Sequence, residues 1–137
     1  MRILIVDDDK LVTGSLKTIL ESDTDIEVAG TCNSGPDAVE LYFKLKPDVL
    51  LLDIRMDGMT GIDAAERILE KDSNAKILFL TTFSDDEYIV KAFQIGAKGY
   101  ILKQDFESII PSVKAVFMGQ RVFGDEIISK LSVLAGE

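Results

Sequence analysis

A doubly wound α/β domain, with five parallel strands and helices on both faces of the sheet, is the fold this sequence predicts, and three observations carry the prediction. Short apolar runs rich in branched residues recur along the chain, as strands buried on both faces require. Segments with apolar residues three and four apart lie between them, the spacing of an amphipathic helix. Most of the runs stop abruptly at a polar or charged residue, which places polar chemistry at the carboxyl ends of the strands.

The elements follow in order. Ile3 to Val6 is the first strand, stopped by Asp7-Asp8-Asp9, and Leu11, Leu16, Ile19 and Leu20 mark the first helix. Ile26 to Ala29 is a weaker strand, followed by Ser34 and Pro36 at a helix start and by Ala38, Val39, Leu41, Tyr42 and Leu45 along it. Val49 to Leu52 is stopped by Asp53. Thr60 with Asp63 three residues later is a capping box for the helix bearing Ile62, Ala65, Ile68 and Leu69. Ile77 to Leu80 ends at Thr81-Thr82, and Ser84-Asp85-Asp86-Glu87 reads as another capping box. Gly96 suits the left-handed turn that closes the helix carrying Tyr88, Ile89, Ala92, Phe93 and Ile95. Tyr100 to Leu102 ends at Lys103, and Asp105 is expected to open a fifth helix. Strands and helices alternating in this way imply right-handed crossovers in a parallel sheet.

Composition excludes several classes of function. The length of 137 residues suits one domain, and 47% hydrophobic residues can build a core. A net charge of -9, from 24 acidic and 15 basic residues, repels a phosphate backbone, so nucleic acid is a poor partner for this chain alone. Cys32 is the only cysteine and histidine is absent, which excludes an internal disulfide and a cysteine- or histidine-based zinc site. The first apolar run is too short for a signal peptide and no stretch suits a membrane helix, so the chain reads as soluble, unprocessed and cytoplasmic.

Ligands of open parallel sheets bind beyond the carboxyl ends of the strands, so those ends belong together. Here they carry Asp7 and Asp8, then Asp53, then Thr81, then Lys103. Each has a plain structural reading: a helix-start cluster, a turn residue, an ordinary strand threonine, a solvated strand-end charge. One shared rim accounts for all of them at once. Crowded carboxylates repel by about 4 kcal/mol per close pair even at an effective dielectric near 20, which a bound cation relieves. An all-oxygen set favours Mg²⁺ or Mn²⁺, and such a site invites a phosphoryl group. Asp53 is then the nucleophile forming an acyl phosphate, Asp7 and Asp8 hold the metal, and Thr81 and Lys103 bind phosphoryl oxygens. Without a histidine of its own, the chain must receive the phosphoryl group from elsewhere.

Ile5-Val6-Asp7-Asp8-Asp9, Leu51-Leu52-Asp53-Ile54-Arg55-Met56, Thr81 and Gly96-Ala97-Lys98-Gly99-Tyr100-Ile101-Leu102-Lys103 resemble the receiver domains of response regulators over residues 1–120. Arg55-Met56, Thr81-Thr82-Phe83 and Phe117 to Val122 resemble the NarL/LuxR-type transcriptional regulators among them. The resemblance implies a flavodoxin-like sheet in the order 2-1-3-4-5 and two-component signalling through phosphorylation of Asp53 by a partner sensor histidine kinase. It implies metal held by Asp8, Asp53 and the backbone carbonyl of Arg55, with Asp7 assisting, and a switch formed by Thr81 and Tyr100. It further implies phosphorylation-promoted homodimerisation, and DNA contact only through an effector domain that this sequence lacks. The chain is then no turnover enzyme, though it can catalyse its own phosphorylation and dephosphorylation.

Two positions depart from the family's pattern. Asp57 replaces a usual proline, freeing the loop and adding negative charge near the metal, and Gln104 replaces a proline often in a cis peptide, so a trans bond is expected. Two rivals stand beside the receiver. A phosphatase with an aspartyl intermediate would want an acid where Arg55 stands, and Asp57 prompts the reading of a degenerate binding module. Residues 121–137 are expected to form a linker, with Asp125 to Leu134 a linker helix or an interface segment.

Overall fold

The computed structural model of the chain describes residues 1–82 and 86–123. The capping box expected at Ser84 to Glu87 depends on residues outside that set, and the segment Asp125 to Leu134 lies wholly outside it. The elements are β1 (Arg2–Val6), α1 (Lys10–Glu21), β2 (Glu27–Cys32), α2 (Gly35–Leu45), β3 (Val49–Leu52), α3 (Gly61–Lys71), β4 (Ile77–Thr81), α4 (Asp86–Ile95), β5 (Gly99–Leu102), a 3-10 segment (Lys103–Ser108), α5 (Ile109–Phe117) and β6 (Val122–Phe123). All strand pairs are parallel, in the order β2-β1-β3-β4-β5-β6. The first five strands stand as expected, and β6 is one more than the sequence pattern predicted.

Side chains alternate across the sheet and build two cores. Leu4, Val6, Leu50, Leu52, Ile77 and Phe79 face α2, α3 and α4. Ile3, Ile5, Leu51, Leu78 and Leu80 face α1 and α5, against Leu16, Leu20, Val113 and Val116. Both faces are therefore dry, which is why the central strands carry no alternating polar residues. Among the residues of α3, every apolar position named from the sequence except Leu69 is fully buried.

Helix starts match the expected chemistry. Ser34 caps α2 by accepting from the Asp37 amide, with Pro36 in its first turn. Thr60 and Asp63 exchange both bonds of a capping box at α3. Asp9 caps α1, accepting from the Leu11 amide at 2.9 Å. Of the three consecutive aspartates, this one has the structural role. Gly96, at φ +94°, closes α4 while the Ala97 amide donates to the Ala92 carbonyl.

Two expectations are corrected. Leu11 is 82% exposed and does not join the buried stripe of α1. It precedes Leu16 by five residues, which at 3.6 residues per turn sets it about 140° from that stripe. Asp105 does not open α5. It has non-helical dihedrals within the 3-10 segment, and α5 starts at Ile109. A helix begun at Asp105 would hold Pro111 in its interior, whereas a start at Ile109 leaves the proline in the first turn, where no amide is needed. No peptide among the described residues is cis, so the Lys103–Gln104 bond is trans as expected.

Candidate functional site

The rim at the carboxyl ends of β1, β3, β4 and β5 gathers the polar residues. Asp7 follows β1, and its backbone is held on both sides: its amide donates to the Cys32 carbonyl at 3.2 Å, and the Asn33 side-chain amide donates to its carbonyl at 2.8 Å. The Asp9 amide donates to Asp7 Oδ1 at 3.0 Å. Asp53 follows β3, where its amide donates to the Val6 carbonyl at 2.9 Å and its Oδ1 accepts from the Ile54 amide at 3.0 Å. Backbone amides aim one oxygen of each carboxylate. Asp7, Asp8 and Asp53 each offer an oxygen within 4.8 Å of the others.

Asp7 and Asp53 are buried, whereas Asp8 is exposed. Lys103, immediately after β5, places its Nζ in direct contact with Asp7 Oδ2 and 3.7 Å from Asp53 Oδ2. Lys103 thus pairs with two of the three clustered carboxylates. Burial, and then the Asp7 charge, push the Asp53 carboxyl up to about 6, against the opposing pull of Lys103 and the Ile54 amide. Partial burial and Asp7 also raise Asp8, with a smaller push from Asp57 in the loop after β3. Excess negative charge in a mostly enclosed site is the arrangement a hard divalent cation relieves, and an all-carboxylate donor set fits Mg²⁺ or Mn²⁺.

Thr81 ends β4, is buried, and pairs in register with Leu102, the neighbour of Lys103. It belongs to the same rim. Tyr100 sits on β5 with no exposed surface, its ring 6.4 Å from that of Phe79. Its side chain belongs to the core that faces α2, α3 and α4. Arg55 lies in the loop after β3, its side chain exposed and its guanidinium 5.7 Å from the centre of the Tyr88 ring. Its side chain thus points to α4.

Two supporting residues escaped the sequence reading. Asn33 fastens the backbone of Asp7, and its only sequence signal is an Asn-Ser-Gly-Pro turn after β2. Gly61 donates its amide to the Ile54 carbonyl at 2.7 Å and lies where a side chain would strike the Asp53 carbonyl. A glycine at the first position of a helix is no signal by itself.

Residues 3–114 match the response regulator receiver domain. Among curated proteins, the chain is 38% identical over 130 residues to the transcriptional regulatory protein DesR of Bacillus subtilis, covering 94% of this chain and 64% of DesR. It is 35% identical over 132 residues to LiaR of the same organism, covering 96% of this chain and 63% of LiaR. The chain therefore spans less than two thirds of these relatives. Among solved structures, a LuxR-family two-component response regulator from Aurantimonas sp. superposes with a TM-score of 0.93 at 28% identity, covering 99% of this chain and 98% of that one. The receiver domain of the NarL regulator from Mycobacterium tuberculosis superposes at 0.82 with 28% identity, over 87% of this chain and 97% of that one. With a doubly wound sheet that collects three aspartates, a buried threonine and a lysine on one rim, and with this match over most of its length, the chain belongs to the receiver domains of two-component response regulators.

Proposed function

We propose that Asp53 is the phosphoacceptor and that the domain takes its phosphoryl group from the phosphohistidine of a partner sensor kinase. The observation that carries this reading is the placement of the Asp53 carboxylate beside Asp7, Asp8 and Lys103 on one rim. An Asp53 oxygen attacks phosphorus, forming the O–P bond of an acyl phosphate as the P–N bond to the donor imidazole breaks. The bond's electron pair stays on that imidazole, which takes up a proton. Asp8, Asp53 and the Arg55 carbonyl would hold Mg²⁺ with Asp7 assisting, and the bound ion would neutralise charge on the transferring oxygens. Lys103 and Thr81 bind the phosphoryl oxygens from the other side. The domain positions and neutralises, so it catalyses its own phosphorylation and dephosphorylation without being a turnover enzyme.

Incubation with a small phosphodonor and Mg²⁺, followed by intact mass, is expected to show one added phosphoryl group. It should be absent without Mg²⁺ and abolished by Asp53→Ala. Turnover of the donor with no accumulation would favour a phosphatase, and no modification a degenerate binding module.

DesR and LiaR are transcriptional regulatory proteins, which supports a role for the phosphorylated domain in controlling transcription through an effector domain; in this reading the domain works in the cytoplasm and dimerises when phosphorylated. Thr81 carries the signal: it moves toward the phosphoryl group, favours the inward position of Tyr100 behind it, and so biases the surface near α4 and β5. Thr81→Ala is expected to take up phosphoryl on Asp53 yet lose most of the phosphorylation-driven change in oligomeric state, read by light scattering. A full change in that variant would remove Thr81 from the switch.

A further inference from the structure

After α5 the chain turns at Gly119, φ +91°, and lays β6 along the open edge of β5. The Val122 amide donates to the Lys98 carbonyl at 2.7 Å, and Gly99 pairs with Val122, Tyr100 with Phe123. A Cβ on Gly99 would lie 2.6 Å from the Val122 carbonyl oxygen, so the strand seats where residue 99 leaves room for it. Phe123 falls on the Tyr100 side of the sheet, packing against the core that holds Tyr100, Ile89 and Ala92. Its ring meets that of Phe93 on α4 edge-on, centroids 5.8 Å apart, and the Arg121 guanidinium stands 5.6 Å from the Phe93 ring.

Arg121, Val122 and Phe123 therefore tie α4 to β5 across the residue proposed as part of the switch. A two-residue edge strand is also among the first elements of a domain to open. We infer that this segment is a detachable clasp, whose docking holds Tyr100 inward and α4 in place, and that phosphorylation of Asp53 and docking of the clasp strengthen one another. The inference rests on the phosphoacceptor reading above and adds a regulatory element to it. Tyr100 is buried with the clasp in place, the arrangement the phosphoryl group is proposed to favour, so the coupling is positive. Linkage makes it reciprocal: whatever loosens the clasp must weaken the site's hold on a phosphoryl mimic by the same factor.

Hydrogen exchange tests this on the unmodified chain. With phosphodonor and Mg²⁺ present, the Val122 amide is expected to exchange at least about 5-fold more slowly, the lower end of typical coupling between sites. Intact mass on the same sample separates the two readings. A phosphoryl group on Asp53 with unchanged Val122 exchange overturns the clasp alone, whereas no added phosphoryl overturns both. In the reverse direction, Phe123→Ala is expected to bind beryllium fluoride with Mg²⁺ about 5-fold more weakly, while Met118→Ala, on the exposed face after α5, binds it as the parent does. Equal affinity in folded Phe123→Ala, checked by circular dichroism, overturns the coupling.

Discussion

Gly61→Ala is expected to destabilise the domain by about 3 kcal/mol and to slow phosphoryl uptake, the largest effect foreseen for any single methyl group here. The new Cβ would collide with the Asp53 carbonyl oxygen and stand 2.9 Å from both its carbonyl carbon and the Ile54 Cα. All three atoms are backbone, so no side chain can swing aside. The loop between β3 and α3 would have to open, breaking the bond from the Gly61 amide to the Ile54 carbonyl and shifting the residue whose carboxylate is proposed to accept the phosphoryl group. A urea melt should show a lowered midpoint with an unchanged slope. Gly14→Ala is the control: it lies within α1 with nothing within 4 Å of a new Cβ, so it should stabilise by about 0.5–1 kcal/mol through helix propensity. Equal stability of Gly61→Ala and the parent would mean that the loop does not hold Asp53 as described.

Without divalent metal, the protein is expected to lose about 3 kcal/mol of stability between pH 3 and pH 8 through Asp53 alone, roughly half of it above pH 5. The Asp53 carboxyl lies at about 6 in the folded chain, against 3.8 for an ordinary aspartate. Between those values the folded state binds more protons than the unfolded one. The stabilisation is therefore complete only below the ordinary aspartate value of 3.8, and is lost as pH rises through about 6. Asp8 and Asp53 titrate as members of one cluster, so the transition will be broad. Asp53→Asn removes the buried charge, so at pH 8 the metal-free variant should be more stable than the parent by about 2 kcal/mol while accepting no phosphoryl group. Thermal melts across pH check this directly. Adding Mg²⁺ at pH 8 should raise the parent's melting temperature and the variant's much less, because the ion binds the folded site and Asp53 is one of its proposed ligands. Parent stability that rose from pH 5 to 8 without metal would refute the assigned burial of charge.

Most of this site was legible before any coordinates, because its chemistry sits at strand ends and strand ends are easy to find. Asp7, Asp53 and Lys103 each follow an apolar run directly, and Thr81 closes one. Once the fold class was in hand, one rim followed for all of them. Helix caps were equally legible, since Ser34, Thr60 and Asp63 act within a few residues of where they stand. Leu11, Asp105 and β6 were misread or missed for a common reason. The exposure of Leu11 depends on which way α1 is rotated, the start of α5 on Pro111, and β6 on an edge of β5 being open and near enough to pair.

The order of residues by itself determined the class of fold, the alternation of strands and helices, and the set of polar groups at the carboxyl ends, because these rest on local periodicity and on backbone chemistry confined to a few neighbours. Only the tertiary structure decided that Asp7 is buried while Asp8 beside it stays exposed. It alone set Lys103 between Asp7 and Asp53, brought Gly61 against the Asp53 carbonyl, and laid Phe123 beside Tyr100 and against the Phe93 ring. Those outcomes depend on distances between segments far apart in the chain. They are fixed when two cores pack on opposite faces of one sheet, and no local pattern encodes them.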